Sequence, residues 1–448
     1  SRLHEKLNEK SNGENYSNER SNILNLIHEI QYEYMSHKVD IDKNIHVVWV
    51  AGKPPESLYK YAKAYQTAYP EFTYNLWIDY NAMSAHAFNT EIKNIAFENA
   101  KYEVIQSLNK EDIENLKIQQ NLSAEFNEKL VNLFEYYFLK SMLQLQDKVM
   151  NYAYVKGILT FNDKDRICFL QDVLLYNEDK INKFKDILQN NLKSLQTVEN
   201  KLTQIFGPNK IKLNDVNHLP EMKIVHHKHN YQKELILRGN YAAASDMLRV
   251  YILKNHGGIY SDYDVTPGYT QEVYEIIQTH SQDFDFLEKE DHRRALNDEI
   301  LTLVSSEPSS ELRNKLSTDD QRRLEIIINK IKERQNDIKI FAPINTKVIR
   351  DSMLMFKRHQ FWGKSWNVRG NNNFLATHKE SKVMDFVILG QDKAYQEIWS
   401  IREQLIREGI GTQYHYHNSD NNDNSEPLRG REKVEAKLFG AGSLEFWE

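Results

Sequence analysis

Cysteine is almost absent from this chain of 448 residues, since Cys168 is the single one and no intrachain disulfide can form. Cys168 lies in the apolar run from Ile167 to Leu170, where a small buried side chain is expected rather than a reactive thiol. No uncharged stretch approaches the ~20 residues of a membrane-spanning helix. Lys and Arg number 58 against 64 Asp and Glu, so bulk charge does not favour nucleic acid. We therefore expect no nucleic-acid partner and weak or absent membrane association.

Proline and glycine are scarce as well, with 9 and 16 in the chain. Residues 84–206 contain no proline and only Gly157, and apolar residues recur there at helical spacing, as in Leu130–Val149 and Ile181–Leu202. We predict a helical insertion over about 84–206. Its expected role is to stiffen the protein rather than to form an interaction bundle.

Shorter patterns divide the remainder of the chain. Residues 1–42 predict an N-terminal helical arm, with one docked helix over Asn22–Met35. A second helical insertion is predicted over about 270–340, with helices at Val273–Ile277 and Glu311–Lys332. The Ser at position 1 suggests an excised or processed fragment, so an export signal could lie outside this sequence.

The most apolar run of the chain, Asn44–Val50, ends in Ala-Gly-Lys-Pro-Pro, a pattern typical of a central parallel strand with its exit loop. Residues 56–69 then follow helical periodicity, and Tyr74–Asp79 predicts a second strand. This β-α-β order predicts an α/β fold with an open sheet that binds a nucleotide at the carboxyl ends of its strands. Trp49, at the end of the first strand, is either a core residue or part of that site.

The stretch from Asn240 to Pro267 reads as a helix, a tight turn and a short strand. Helix formers dominate Ala242–Lys254, and Gly257 with Gly258 can supply the positive φ that ends a helix. The helix would place Asp246 and Arg249 on a shared face, because they are three residues apart. An ordinary surface ion pair is the alternative interpretation of these two residues.

Two aspartates follow the predicted strand. Side chains alternate along a strand, so Asp262 and Asp264 would point to one face. A hard divalent cation that also binds a diphosphate is typically given one or two protein carboxylates. The pattern is therefore compatible with a metal site, although an exposed acidic strand end would look the same.

The stretch resembles the core of the large clostridial glucosylating toxins and related bacterial glycosyltransferase toxins. The resemblance rests on Asn240, on Ala-Ala-Ala-Ser-Asp-x-x-Arg at 242–249, and on Gly-Gly-x-Tyr-x-Asp-x-Asp at 257–264. It implies a GT-A fold over residues 43–448. It also implies a retaining, Mn²⁺-dependent enzyme, with Mg²⁺ as the alternative ion, that transfers a single sugar from UDP-N-acetylglucosamine or UDP-glucose. The implied acceptor is a hydroxyl side chain of a host Rho-family small GTPase, modified in the host cytosol by a secreted bacterial protein.

The resemblance also implies roles for individual residues. Asp264 would bind the metal, Asp262 would contact metal and sugar nucleotide, and Asp246 and Arg249 would hold the sugar. Three further residues would contact the nucleotide: Trp49 by stacking on uracil, with Tyr260 and Ser245 beside it.

Two later segments match the family less closely. The run Asn371–Asn373 resembles an element whose asparagine holds the sugar and the leaving diphosphate, a role that falls on Asn372. Near the C-terminus, Ser443 is the candidate metal-binding serine and Trp447 the candidate contact to the diphosphate. The spacing of these two residues departs from the family pattern.

The run His226-His227-Lys228-His229 resembles a metal cluster. We predict a strand over Lys223–His229, in which only His227 and His229 would share a face, and no Cys or acidic residue lies nearby in sequence. The sequence thus predicts no zinc site.

Other functions are compatible with the same residues. The protein could be a transferase acting on a glycan or a lipid, or an inactive helical adaptor on the same fold. For the donor, Asn371 and Asn373 are smaller than the residues of the glucose users at these positions. The added room predicts a preference for UDP-N-acetylglucosamine.

Overall fold

A computed structural model describes residue 25 and residues 37–400, apart from 119–122, 159, 282–288, 345 and 357–370. The side chains of residues 355, 356, 371, 372 and 398–400 are likewise outside the description. The predicted arm helix, except for residue 25, and both Ser443 and Trp447 lie outside the described residues.

The helices and strands follow one another in a mixed order. The helices are α1 (Leu58–Ala68), α2 (Ala85–Ser107), α3 (Lys110–Ile118), α4 (Ala124–Val155), α5 (Asp163–Asp172), α6 (Glu178–Phe206), α7 (Val225–Gln232), α8 (Tyr241–His256), α9 (Gln271–His280), α10 (Glu290–Ser305), α11 (Thr318–Arg334) and α12 (Lys382–Ser400). The strands are β1 (Lys38–Asp40), β2 (Asn44–Trp49), β3 (Thr73–Ile78), β4 (Ile211–Asp215), β5 (Gly258–Ser261), β6 (Gly268–Tyr269), β7 (Phe341–Ala342), β8 (Lys347–Ile349), β9 (Leu354–Phe356) and β10 (Asn371–Thr377).

The central sheet has six strands in the order β4-β3-β2-β5-β10-β9. The first four strands are parallel, and β10 runs antiparallel to both β5 and β9. In the register, Ile45 of β2 lies opposite Tyr74 of β3 and Ile259 of β5. The predicted β-α-β start is therefore confirmed as β2, α1 and β3.

Two apolar clusters cover the two faces of the sheet. Ile45 and Val47 of β2 belong to a cluster with residues of α1, α9, α10 and α11, whereas Val48 belongs to one with residues of α2, α4 and α8. This alternation follows from the pleat, which points successive side chains to opposite faces. Both faces of β2 are thus buried, as its continuous apolar sequence predicted.

Helix α8 and β5 meet in a tight turn that only glycine can form. The Asn240 side chain begins the helix by accepting a hydrogen bond of 3.1 Å from the Ala243 amide. The helix ends where Gly257 has φ 62° and Gly258 has φ 102°. A side chain at Gly257 would collide with the Asp42 carboxylate, and one at Gly258 with the backbone of Asn44. The predicted helix and glycine turn are confirmed.

Three local predictions are wrong in detail. Strand β5 ends at Ser261, so the two aspartates lie in the following turn rather than in the strand. Residues 225–232 form α7, whose inner face carries His227 and Tyr231, four residues apart, rather than a strand. The helix predicted from Glu311 begins only at Thr318, because Ser317 caps it by accepting from the Asp320 amide at 3.2 Å. The helix predicted at 273–277 is confirmed within α9.

The described part of residues 85–206, which omits 119–122 and 159, holds five helices, α2 to α6, in agreement with the predicted helical pattern. Within the described ranges, no helix combines the length and the apolar character that crossing a membrane requires.

Candidate active site

The predicted site residues gather where β2 and β5 end. These two parallel strands are neighbours in the middle of the sheet, with β3 and β4 on one side and β10 and β9 on the other. In open α/β sheets, ligands bind outside the carboxyl ends of the strands where the strand order changes direction. Trp49 ends β2, and its partly buried ring meets the ring of Tyr263 edge-on, with centroids 5.1 Å apart. The end of β2 is therefore adjacent to the turn that carries Asp262 and Asp264.

A single buried arginine connects the acidic residues of the site. Arg249 Nη2 lies 2.9 Å from Asp246 Oδ1 and 3.2 Å from Asp262 Oδ1. The arginine side chain is 4% exposed, whereas the side chains of Asp246 and Asp262 are 43% and 33% exposed. One enclosed cation thus holds two carboxylates that both reach solvent.

Tyr260 forms the base of this network. The Arg249 guanidinium carbon lies 4.5 Å from the centre of the Tyr260 ring, a cation–π contact. The tyrosine hydroxyl donates to Asp262 Oδ1 at 2.7 Å. Burial raises the pKa of Tyr260 well above its usual value, so its hydroxyl stays protonated as a donor. Tyr260 itself is fully buried, and its contacts here are with Arg249 and Asp262 rather than with an open surface.

Asp264 is the most accessible carboxylate of the turn. Asp264 is exposed at its tip, and surrounding protein together with the Asp262 charge raises the pKa of Asp264. Burial is the larger cause, and Arg294 opposes it. Neighbouring carboxylates that reach solvent are an oxygen donor set of the kind that a hard divalent cation binds. The residues present therefore fit the metal that the family resemblance implies.

Strand β10 brings the asparagine segment beside the turn. Phe374 pairs with Ser261, and the Asp262 amide donates to the Asn373 carbonyl oxygen at 2.8 Å. The backbone of Asn372 is thereby placed next to the acidic turn, although its side chain is outside the description. Ser245 contributes its carbonyl oxygen, which accepts from Arg249 Nε at 3.3 Å.

Three buried hydrogen bonds, which no sequence pattern predicted, support β5 and the glycine turn before it. The Tyr65 hydroxyl of α1 donates to Ser261 Oγ at 2.7 Å. His46, a polar residue inside the apolar run of β2, accepts from Trp77 Nε1 at 3.1 Å and donates to the Gly257 carbonyl at 2.8 Å. Burial lowers the pKa of His46 to about 3, so the ring is neutral and keeps this arrangement. A polar residue inside an otherwise apolar strand was the available signal.

A separate cleft of about 600 Å³ opens beside β3 and β4. Its lining includes Trp77, Asp215, His218 and His256. None of the described site residues lines it, so the cleft plays no part in the site assembled around Arg249.

Most of the chain is similar to known toxin domains. The family model of the TcdA/TcdB catalytic glycosyltransferase domain matches residues 43–416. Toxin B of Clostridioides difficile is 30% identical over 253 residues, which cover 56% of this chain and 9% of that protein. The chain thus spans less than a tenth of the length of this relative.

Two solved structures share the fold. The catalytic domain of alpha-toxin from Clostridium novyi aligns with a TM-score of 0.60 at 19% identity, covering 96% of this chain and 73% of that one. The ligand-free glycosyltransferase domain from the YGT toxin aligns with a TM-score of 0.56 at 17% identity, covering 91% and 77%. The predicted α/β fold of GT-A type is confirmed, and because the family match spans most of the sequence, the chain belongs to the family of TcdA/TcdB catalytic glycosyltransferase domains.

Proposed function

We propose that this chain is a retaining, manganese-dependent glycosyltransferase that moves one sugar from a UDP-sugar to a hydroxyl side chain of a host protein. A Rho-family small GTPase is the proposed acceptor, modified in the host cytosol by a protein that a bacterium secretes. The observation that carries the proposal is the buried Arg249, which holds the two part-exposed carboxylates of Asp246 and Asp262 at the switch point of the sheet.

The network is suited to fixing a sugar. Arg249 cannot rotate freely, because it is enclosed, ion-paired on one edge and stacked on Tyr260. The exposed oxygens of Asp246 and Asp262 can then accept hydrogen bonds from sugar hydroxyls at fixed positions. Such positioning can supply several kcal/mol of a reaction barrier. Asp246 is neutralised by its arginine, which makes it a poor nucleophile and favours displacement on one face without a covalent intermediate.

The remaining groups would hold the nucleotide and the metal. Trp49 offers a partly open ring at the end of β2 for stacking on uracil. Asp264 and Asp262 would hold Mn²⁺, or Mg²⁺ in its place, and Ser443 is the candidate third ligand. When bound, the cation would neutralise charge that develops on the departing diphosphate. Asn372 and Trp447 complete the proposed contacts to the diphosphate.

The first experiment is hydrolysis of UDP-sugar by the purified chain with Mn²⁺, with Mg²⁺ and with EDTA. The proposal expects turnover that requires the metal and that is lost in Asp262→Asn with Asp264→Asn. The matched control is Asp319→Asn, an exposed aspartate of α11. Absence of turnover with either metal would favour the inactive adaptor.

Transfer of radiolabelled sugar to a host lysate then identifies the acceptor class. The proposal expects label in a protein band near the size of a small GTPase, and the same label on purified Rho proteins. Label that survives protease treatment, or that extracts into organic solvent, would instead identify a glycan or lipid acceptor.

The donor is decided by the same assay. We propose that UDP-N-acetylglucosamine is used in preference to UDP-glucose, because Asn371 and Asn373 are smaller than the residues that the glucose users of the family carry at these positions. Removing bulk discriminates only modestly, because a smaller sugar still enters a larger pocket. Tenfold faster turnover of UDP-glucose at equal concentration would overturn this preference and leave the glycosyltransferase assignment intact.

A further inference from the structure

A cluster of two histidines and an aspartate joins α7 to α12, away from the residues around Arg249. His226 Nε2 lies 3.4 Å from Asp392 Oδ2, and His227 Nδ1 lies 3.1 Å from Asp392 Oδ1. Each residue offers one ligand atom, and these atoms all lie within 4.8 Å of one another. The acidic partner that the sequence analysis did not find near the histidines thus comes from a helix more than 160 residues further along the chain.

The separations match those between the ligands of a small tetrahedral ion. Zinc–nitrogen and zinc–oxygen bonds of about 2.0–2.2 Å place neighbouring tetrahedral ligands about 3.3–3.5 Å apart. Both histidine–carboxylate distances lie close to this range, and they reach different oxygens of Asp392, so the carboxylate would bind through both oxygens or rotate to present one. The ligand atoms of the cluster lie up to 4.8 Å apart, which exceeds this range, and a rotation of the His226 ring would shorten the longest separation. That ring is 60% exposed on one side and packs against the His227 ring, with centroids 4.0 Å apart.

The three residues differ in how firmly they are held. The His227 side chain is 7% exposed, and its Nδ1 also lies 3.0 Å from the Tyr251 hydroxyl of α8. Asp392 is mostly enclosed by α12 and α7. A rigid inner pair with one exposed ligand leaves a route for an ion and an open position for water, as in zinc sites with three protein ligands.

We propose that His226, His227 and Asp392 bind a transition-metal ion of the zinc type, which links α7 to α12 with water at the fourth position. Two imidazoles and one carboxylate suit Zn²⁺, Co²⁺, Ni²⁺ or Cu²⁺, whereas the all-oxygen pair Asp262 and Asp264 suits Mn²⁺ or Mg²⁺. The two sites therefore select different ions. This proposal does not depend on the proposed function.

An ion at this site would also restrict the movement of α12, which contacts α8, the helix that carries Asp246 and Arg249. The residue before Asp392 is Gln391, whose Nε2 donates to the Asp246 carbonyl oxygen of α8 at 3.2 Å. An ion that fixes α12 to α7 would thus hold the segment that contacts Asp246.

The test uses the whole chain after treatment with EDTA. Co²⁺ is added while its visible absorption is recorded, and Zn²⁺ binding is measured by calorimetry and by competition with the bound Co²⁺. We expect one strongly absorbing, low-symmetry Co²⁺ site that Zn²⁺ displaces, and a higher melting temperature with Zn²⁺. His227→Ala and Asp392→Asn should each weaken Zn²⁺ binding at least tenfold.

Two controls make the result specific. His229→Ala removes a neighbouring histidine of α7 that is not in the cluster, and should leave Zn²⁺ affinity unchanged. Asp262→Asn with Asp264→Asn should also leave it unchanged. If Asp392→Asn does not fold, His226→Ala replaces it, because that side chain is exposed. No saturable binding, or binding that His227→Ala and His226→Ala leave intact, would overturn the proposal.

Discussion

Two buried cations in this molecule are paired with carboxylates in opposite ways. Lys60 Nζ of α1 lies 2.9 Å from Asp298 Oδ1 of α10, and both side chains are 7% exposed. Asp298 also accepts from the Ser309 hydroxyl at 3.0 Å and from the Ser310 amide at 2.9 Å. Arg249 is equally enclosed, but both of its aspartate partners reach solvent.

The difference separates a structural ion pair from one available to a ligand. Asp298 has its oxygens occupied by lysine, hydroxyl and amide, so this pair has little capacity left and serves to hold α10 on α1. The carboxylates beside Arg249 keep a side that faces solvent. Burial of a charge does not by itself indicate function, whereas a buried cation that presents accessible anions does.

The largest expected effect is on activity. Asp262→Asn with Asp264→Asn should lower sugar transfer by at least about 10²–10³-fold, the scale of losing preorganised charge stabilisation. The free energy of unfolding should change by less than about 1 kcal/mol, because an asparagine at 262 can still accept from Tyr260. Transfer with Mn²⁺ and urea unfolding measure the two quantities. Full transfer by the double variant would refute the metal and sugar assignment.

The structural pair should show the reverse pattern. Lys60→Met should lower the free energy of unfolding by about 3–5 kcal/mol, because Asp298 is left buried with no cation. Turnover per folded molecule should stay close to the original value. Urea unfolding and active-site-normalised kinetics test this, with Lys330→Met on the exposed face of α11 as the matched control. A fall of less than 1 kcal/mol in the free energy of unfolding would contradict this expectation and show that water solvates the Asp298 carboxylate in the variant.

Substitutions of Trp49 test whether its partly exposed ring at the end of β2 binds the nucleotide or only packs against the protein. Trp49→Ala should weaken UDP binding by about 1–3 kcal/mol, the value of stacking a base on an aromatic ring. Trp49→Phe should retain part of the UDP affinity that Trp49→Ala loses. Calorimetry with UDP and thermal unfolding are measured together. A large fall in melting temperature with unchanged UDP affinity would support a purely structural role.

The smallest expected effect concerns the buried His46. Its pKa is near 6.5 when unfolded and about 3 in the fold, so between these values the unfolded chain binds a proton that the folded chain does not. The stability that this difference contributes is present above pH 6.5 and is lost as pH falls toward 3. Between pH 7 and pH 5.5, His46 should account for a loss of about 1.3 kcal/mol. Urea unfolding of the original chain and of His46→Gln at both pH values isolates the contribution of His46. If the free energy of unfolding changes equally with pH in the two proteins, the lowered pKa of His46 is contradicted.

Local patterns predicted a large part of the fold. The apolar run of β2, the helix formers of α8 and the glycines at 257 and 258 each contain their own structural signal within a few residues. The family pattern likewise grouped Asp246, Arg249 and Asp262, which the structure places in contact, with Trp49, whose ring meets Tyr263 of the same turn.

The failures arise where distant contacts decide the local structure. The Asp262 amide still donates to Asn373 on β10, far along the chain, and the chain then turns, with the Val265 amide donating to the Asp262 carbonyl oxygen at 3.2 Å. The histidine run forms a helix in which His227 pairs with Asp392, far along the chain. No pattern within residues 223–229 predicts this partner. Lys60 gave no signal either, since its partner is 238 residues away.

The bond between His46 and the Gly257 carbonyl joins residues 211 apart in the chain. Loops of this length carry a large closure entropy, whereas the helices between 85 and 206 form through neighbours in sequence. The insertion can therefore acquire structure early, while the turn with Asp262 exists only after β5 has reached β2. Activity should return late during refolding, and pulse-labelled hydrogen exchange should protect α4 amides before that of Ile259. A chain halted between these events would look helical by circular dichroism and transfer no sugar.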